Sequence, residues 1–365
     1  MTLASIVTTT PRLFAAAFLV AAALAAPCRA PAAETITIRI GYAAIGVDNR
    51  PFAEGTSAAT ARAGNYLEEE FKDDPGIKIE WYFFKGAGPA VNEAFASNQL
   101  DFAYQGDLPS IIGRANGLKT RFLIASGARK PLYLAVPKGS SISGVADLKG
   151  RKVAIFRGTN GHLAAVKILE AHGLTEKDIQ GIMLDQAATA AALASKDIDA
   201  AFGDTPLIHL AENGIADIVY TTKGKNPAFA RNAGVIAREA FIEAHPEITQ
   251  RVVNAFVKAA LWSSLEQNRA ALLELWAKSG TPVSVLAEFF AGDTLAYRNS
   301  PLIDPLLVAQ YREQADKAIA FGLIRRKVDL TGWFEPKYLE TALKSLGLKS
   351  TWTSYRADGT PQQGS

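Results

Sequence analysis

Hydrophobic and polar positions switch period repeatedly along this chain. Thr35-Ile36-Thr37-Ile38-Arg39-Ile40 alternates strictly, the period of a strand, and Gly41 closes it. A helical pattern follows near residues 60–72. Ile77, Ile79, Trp81 and Phe83 alternate again, and Gly86-Ala87-Gly88-Pro89 turns the chain into a helix near 90–98. A short strand is expected at 101–104. Asp107-Leu108-Pro109 then reads as a helix start, with Asp capping and Pro in the first turn. Apolar runs at 122–125, 132–136, 152–156, 182–184, 198–202 and 218–220 read as further strands. Between them lie helices after Gly158-Thr159-Asn160-Gly161, across an Ala-rich stretch, and after Asp204-Thr205-Pro206.

This alternation of strand and helix predicts an α/β protein with mostly parallel sheets and helices on both faces, and the length favours two sheets over one. From Glu239 the pattern becomes helical, over 247–278, 282–297 and 305–322. Residues 350–365 are polar with Gly and Pro, and fraying is expected there.

The first 33 residues differ from the rest. They hold Arg12 and Arg29 and no acid, an unbroken apolar run at 13–26, and a small-residue exit at Ala30-Pro31-Ala32-Ala33. This predicts a secretory signal peptide over residues 1–33 and a periplasmic location. Cys28, the single cysteine, follows Pro27, which argues against a lipid anchor. Removing Arg12 and Arg29 from the 39 basic residues leaves 37 against 36 acidic ones, a balance of +1. With 48% hydrophobic residues the chain suits a soluble globular body, and no basic cluster suggests nucleic acid.

Catalytic and metal motifs are missing. His162, His172, His209 and His245 stand in no ligand spacing, and there is no nucleophile elbow, Walker loop or complete G-x-G-x-x-G. No enzyme activity, cofactor or metal is expected. What stands out is five polar or Gly-bearing turns where strands give way to helices, at 43–50, 86–89, 104–109, 158–162 and 203–206. Ligands of open α/β sheets bind outside the carboxyl ends of strands, and helix N-termini offer unpaired N–H groups to an anion.

The candidate contacts are therefore Ala44 and Ile45 in the first turn, Gly88 in the second, Gln105 and Asp107 in the third, and Thr159, Asn160, Gly161 and His162 in the fourth. Asp204 stands in the fifth. Asp107 and Asp204 also fit as plain helix caps; lining a cleft, they would favour a ligand that also carries an amine. Arg129 and Arg298 are the candidate countercharges. Trp81, Phe83, Tyr104 and Phe156 are candidates for stacking on an aromatic ligand, and equally for core packing.

These stretches resemble the periplasmic solute-binding proteins of ABC importers, in the aliphatic sulfonate, taurine and nitrate group. The resemblance rests on Ile38-Arg39-Ile40-Gly41-Tyr42, on residues 94–109 (AFASNQLDFAYQGDLP), on 139–159 (GSSISGVADLKGRKVAIFRGT), and on Asp197-Ile198-Asp199-Ala200-Ala201-Phe202 with Asp204-Thr205-Pro206. It implies a two-lobed type II-like binding-protein fold, with lobe one formed by 34–127 and 239–330, lobe two by 128–238, and an extension over 331–365. It further implies a monomer that takes up a small anionic solute between the lobes and hands it to an ABC transporter permease.

An aliphatic sulfonate is the expected ligand. Nitrate, taurine, an aromatic carboxylate or sulfonate, and a pyrimidine precursor of thiamine remain alternatives, as does an enzyme on the same bilobal fold. Ala43-Ala44-Ile45, standing where sulfonate binders often carry a polar residue, favours an organic tail over bare nitrate. Since a sulfonate stays ionised, its binding is expected to vary little between pH 6 and 8.

Overall fold

The computed structural model describes residues 35–225 and 227–362. The expected signal peptide and Cys28 lie outside them.

The first sheet is built from β1 (Ile36–Tyr42), β2 (Ile77–Phe83), β3 (Phe102–Gly106) and β4 (Thr120–Ala125). Helices α1 (Ser57–Ala63), α2 (Tyr66–Glu70), α3 (Ala87–Ala96) and α4 (Asp107–Ala115) connect them. The continuous helix expected near 60–72 is broken: Gly64 caps α1, and Asn65 takes a left-handed backbone (φ 55°) before α2 begins.

The chain then crosses to a second sheet of β5 (Tyr133–Pro137), β6 (Lys152–Ala154), β7 (Gln180–Ile182), β8 (Ala200–Gly203) and β9 (Ala216–Thr221). Its helices are α5 (Asn160–Ala171), α6 (Gln186–Ala194) and α7 (Thr205–Glu212). It returns through β10 (Ala233–Arg238) to the first sheet, where it lies between β3 and β4. The second crossover therefore falls between Thr221 and Ala233, ahead of the boundary expected at 238. A short apolar strand does not declare which sheet it joins; pairing with β3 and β4 decides that.

The strand orders are β2-β1-β3-β10-β4 and β7-β6-β8-β5-β9. In each sheet four strands run one way. The reversed strand is the one delivered by a crossover: β10 is antiparallel to β3 and β4, and β5 to β8 and β9.

Both faces of each sheet are covered, as parallel strands require. Ile38, Ile40, Phe102 and Ile124 enter one apolar cluster, and Ala103, Phe122 and Ile236 another on the opposite face. In the second sheet Leu134, Val136 and Val153 pack on one side and Ala135, Ala154 and Ala201 on the other.

The helical remainder comprises α8 (Glu239–Ala244), α9 (Pro246–Ser264), α10 (Arg269–Trp276), α11 (Val283–Phe290), α12 (Leu295–Asn299), α13 (Pro305–Ala320) and α14 (Lys337–Ser345). Over residues 350–362 the expected fraying is corrected by the packing. Trp352 is buried and its indole Nε1 donates to Ser264 Oγ at 2.8 Å. Tyr355 bridges Pro361, and its carbonyl accepts from Leu306 N–H at 3.2 Å. A few aromatic anchors in a polar segment are enough to dock it. No helix among the described residues is long and apolar enough to cross a membrane.

Candidate ligand-binding cleft

Between the two sheets lies a cavity of about 580 Å³. Its wall is made where strands of both sheets end: Tyr42 to Ile45 after β1, Gly88 after β2, Gly106 after β3, Ile155, Phe156 and Thr159 to Gly161 after β6, Asp185 and Gln186 after β7, and Gly203 to Thr205 after β8. This is the crevice outside the carboxyl ends of strands, made twice over and facing itself.

The lobes touch around it. Glu54 Oε1 accepts a hydrogen bond from Thr205 Oγ1 at 3.1 Å across the cleft, and Lys85 Nζ lies 3.5 Å from Asp185 Oδ2. On the outer rim Ser284 Oγ donates to Glu212 Oε2 at 2.9 Å. Gly106 approaches so near to α5 that a Cβ there would lie 2.9 Å from Asn160 Cβ.

Seven of the residues proposed from the sequence line this cavity: Ala44, Ile45, Gly88, Thr159, Asn160, Gly161 and Asp204. The backbone N–H groups of Ala44, Ile45, Gly88, Asn160 and Gly161 have no acceptor among the described residues. The last two belong to the first turn of α5, where an α-helix leaves its N–H groups unpaired. Thr159 Oγ1 donates to the Phe156 carbonyl at 2.7 Å, so this hydroxyl's proton is used within the turn. Asp204 is no free carboxylate. It accepts from Arg231 Nη2 at 3.0 Å and Gln186 Nε2 at 3.1 Å. Burial opposes its ionisation, but the neighbouring Arg231 and Lys130 keep its pKa below the ordinary value.

Five of the proposed residues are not in the wall. Gln105 is buried, with Nε2 donating to Asn92 Oδ1 at 2.8 Å. Asp107 joins lobe and crossover: Oδ2 accepts from Asn232 N–H and Oδ1 from Leu108 N–H, both at 2.7 Å. Gly106, rather than Asp107, is the N-cap of α4. Burial nonetheless raises the Asp107 pKa to about 6. His162 Nδ1 accepts from Gly158 N–H at 3.2 Å, with Nε2 3.1 Å from Glu176 Oε1 behind the turn.

The two arginines chosen as countercharges also point elsewhere. Arg129 pairs with Asp304 at 3.1 Å and Arg298 with Asp293 at 2.7 Å. Each is held against aromatic rings, Tyr297 and Tyr355 for Arg129, and Phe289 and Phe290 for Arg298.

The Lys and Arg side chains that do line the cavity are Lys85, Lys130 and Arg231. Sequence reasoning missed Lys130 and Arg231. It also missed Glu54, whose Oε1 takes the hydroxyls of Thr205 and Thr281 at 3.1 and 3.2 Å. The only sequence cue was position: Lys130 and Arg231 flank the two crossovers, and their backbones bond to each other there. Of the stacking candidates, Tyr104 and Phe156 reach the cavity. Tyr104 stacks on Tyr42 with ring centroids 4.3 Å apart, and Phe83 extends that stack from behind. Trp81 faces away, donating to Glu68 at 3.1 Å.

A family model described as NMT1/THI5 like matches residues 61–270, more than half of the chain. The chain belongs to the NMT1/THI5-like family.

Among the solved structures that this chain resembles is the periplasmic sulfonate-binding protein SsuA from Methylobacillus flagellatus KT. The two are 33% identical with a TM-score of 0.76, over 89% of this chain and 99% of that one. The alkanesulfonate-binding protein SsuA from Xanthomonas axonopodis pv. citri, solved bound to MOPS, is 26% identical with a TM-score of 0.68, over 84% and 100%. The periplasmic aliphatic sulphonate binding protein SsuA from Escherichia coli gives 26% and 0.65, over 82% and 92%. The fold alone is shared with the periplasmic nitrate-binding protein NrtA from Synechocystis PCC 6803, at 14% identity and a TM-score of 0.67, and with the desulfurization enzyme DSZB, at 19% and 0.64.

Proposed function

We propose that this chain is the periplasmic solute-binding component of an ABC importer and captures an aliphatic sulfonate between its lobes. The observation that carries this reading is the set of five unpaired N–H groups, from Ala44, Ile45, Gly88, Asn160 and Gly161, in one cavity wall. Amides contributed by both lobes suit an anion with several acceptor oxygens, and a bound anion bridging them favours the closed form. Leu132, Ile155, Phe156 and Phe202 supply apolar wall for an organic tail. In this reading the protein works as a monomer that presents the loaded, closed form to a membrane permease.

Calorimetric titration with alkanesulfonates of increasing chain length, taurine and nitrate tests the proposal. Micromolar or tighter binding of an alkanesulfonate is expected, and failure of all of them to bind rejects it. Mass analysis of the ligand after incubation separates capture from catalysis: a binding protein returns it unchanged, whereas conversion would favour an enzyme on this fold.

A further inference from the structure

Charges are placed unevenly in the cavity wall. Lys85 is largely exposed and faces Asp185, and Arg231 is committed to Asp204 and to the Pro131 carbonyl, which its Nε reaches at 3.2 Å. Lys130 is different. Its ammonium has no hydrogen bond and no ion pair within 4 Å among the described residues, although the side chain is mostly withdrawn from solvent. A cation placed like this is costly until something neutralises it. On the acidic side, Asp48 is exposed, and Asp185 and Asp204 have basic partners. Glu54 accepts the Thr205 and Thr281 hydroxyls and has no ion pair within 4 Å among the described residues; burial raises its pKa, and the Lys130 charge works against that rise.

We propose that Lys130 is the direct charge partner of the ligand's acidic group and that Glu54 restricts that group to a single negative charge. The inference rests on the anion-capture reading above and says which anions the site accepts. A monoanion places one negative charge against one uncommitted cation. A dianion of the same shape leaves a second charge with no uncommitted cation and with the Glu54 carboxylate nearby. At these depths like charges are weakly screened, so the mismatch is expressed in affinity. Specificity then comes from a repulsive element as well as an attractive one.

Methanesulfonate and inorganic sulfate test this cleanly at pH 7, since they share a tetrahedral headgroup and differ by one charge. Wild type, Lys130→Met, Lys130→Arg and Glu54→Gln are titrated with butanesulfonate, methanesulfonate and sulfate, with circular dichroism and thermal melting recorded for each. Lys130→Met is expected to weaken butanesulfonate by more than tenfold and Lys130→Arg by less. Glu54→Gln is expected to raise the affinity for sulfate relative to methanesulfonate at least tenfold. Butanesulfonate binding by a folded Lys130→Met within tenfold of wild type overturns the role of Lys130. An unchanged sulfate to methanesulfonate ratio in Glu54→Gln overturns the charge filter, and this holds even if Lys130→Met fails to fold. If wild type binds no alkanesulfonate, it is the underlying function that fails.

Discussion

The Arg129 guanidinium carbon lies 4.6 Å from the ring centre of Tyr355, which ties the C-terminal tail to the first crossover between lobes. Tyr297 stacks on the same guanidinium at 4.5 Å, and Asp304 supplies the counter-ion at 3.1 Å. The tail is thus part of the packing around the first crossover. Removing its other anchor should be expensive. Trp352→Ala is expected to lower unfolding free energy by about 3–5 kcal/mol, the range for a buried aromatic truncation. Denaturant unfolding reads this; a change under about 0.5 kcal/mol would show the tail to be loosely attached.

Gly106 and Asn160 meet across the cleft at close range. Gly106 has φ −71°, so a larger residue brings no backbone strain, yet its Cβ would lie 2.9 Å from Asn160 Cβ across the cleft. Gly106→Val is expected to weaken ligand binding by about tenfold or more, roughly 1.4 kcal/mol. The melting temperature without ligand should barely move. Small-angle scattering with saturating ligand should give a larger radius of gyration than wild type, and equal radii would refute the wedge.

Asp204 and Arg231 form a buried pair at 3.0 Å. Asp204→Asn leaves the guanidinium without its counter-ion and should cost about 3–5 kcal/mol of stability. The pH dependence has a definite sign. The folded pKa of Asp204 lies below its ordinary value, so the pair's contribution is complete above about pH 3.9, the unfolded-state value, and is lost as pH falls through the lower folded one. Acid unfolding of wild type and variant should therefore converge at low pH.

Lys85 and Asp185 meet at 3.5 Å at the mouth of the cleft, with the lysine side chain 61% exposed. Such a pair contributes about 0–1 kcal/mol and is screened by salt. Lys85→Met should change ligand affinity no more than about fivefold at low ionic strength. In high salt the two proteins should titrate alike.

Lys130 is expected to give binding a pH dependence above pH 8, beyond the range of pH 6 to 8 over which the sequence predicts flat affinity. Burial, and then the Arg231 charge, lower its pKa to about 8; Arg298 adds to this, while Asp204 and Glu54 oppose it. A bound anion favours the charged amine, so above pH 8 binding takes up a proton and affinity falls, approaching tenfold per pH unit. Stability without ligand should run the other way. The cost of the charged lysine is present below about pH 8 and is relieved as pH rises toward the unfolded value near 10.4. Parallel titrations of wild type and Lys130→Met should isolate both effects.

Much of this architecture was legible in the sequence because its causes are local. Alternation at 36–40 and 77–83 gives strands. Gly158 to Gly161 gives a turn into α5, and a helix start leaves its first N–H groups unpaired whatever surrounds it. The unpaired amides of the cavity wall therefore follow from chain order once the turns are known to face one cleft. Direction and partnership are another matter. Arg129 and Lys130 are adjacent basic residues, and nothing local separates them. A positive φ at Arg129 (58°), together with Asp304, 175 residues onward, draws one side chain into the packing around the first crossover, while the next faces the cleft. Which charges are spent and which remain for a ligand depends on such distant partners, and only the tertiary structure decides it.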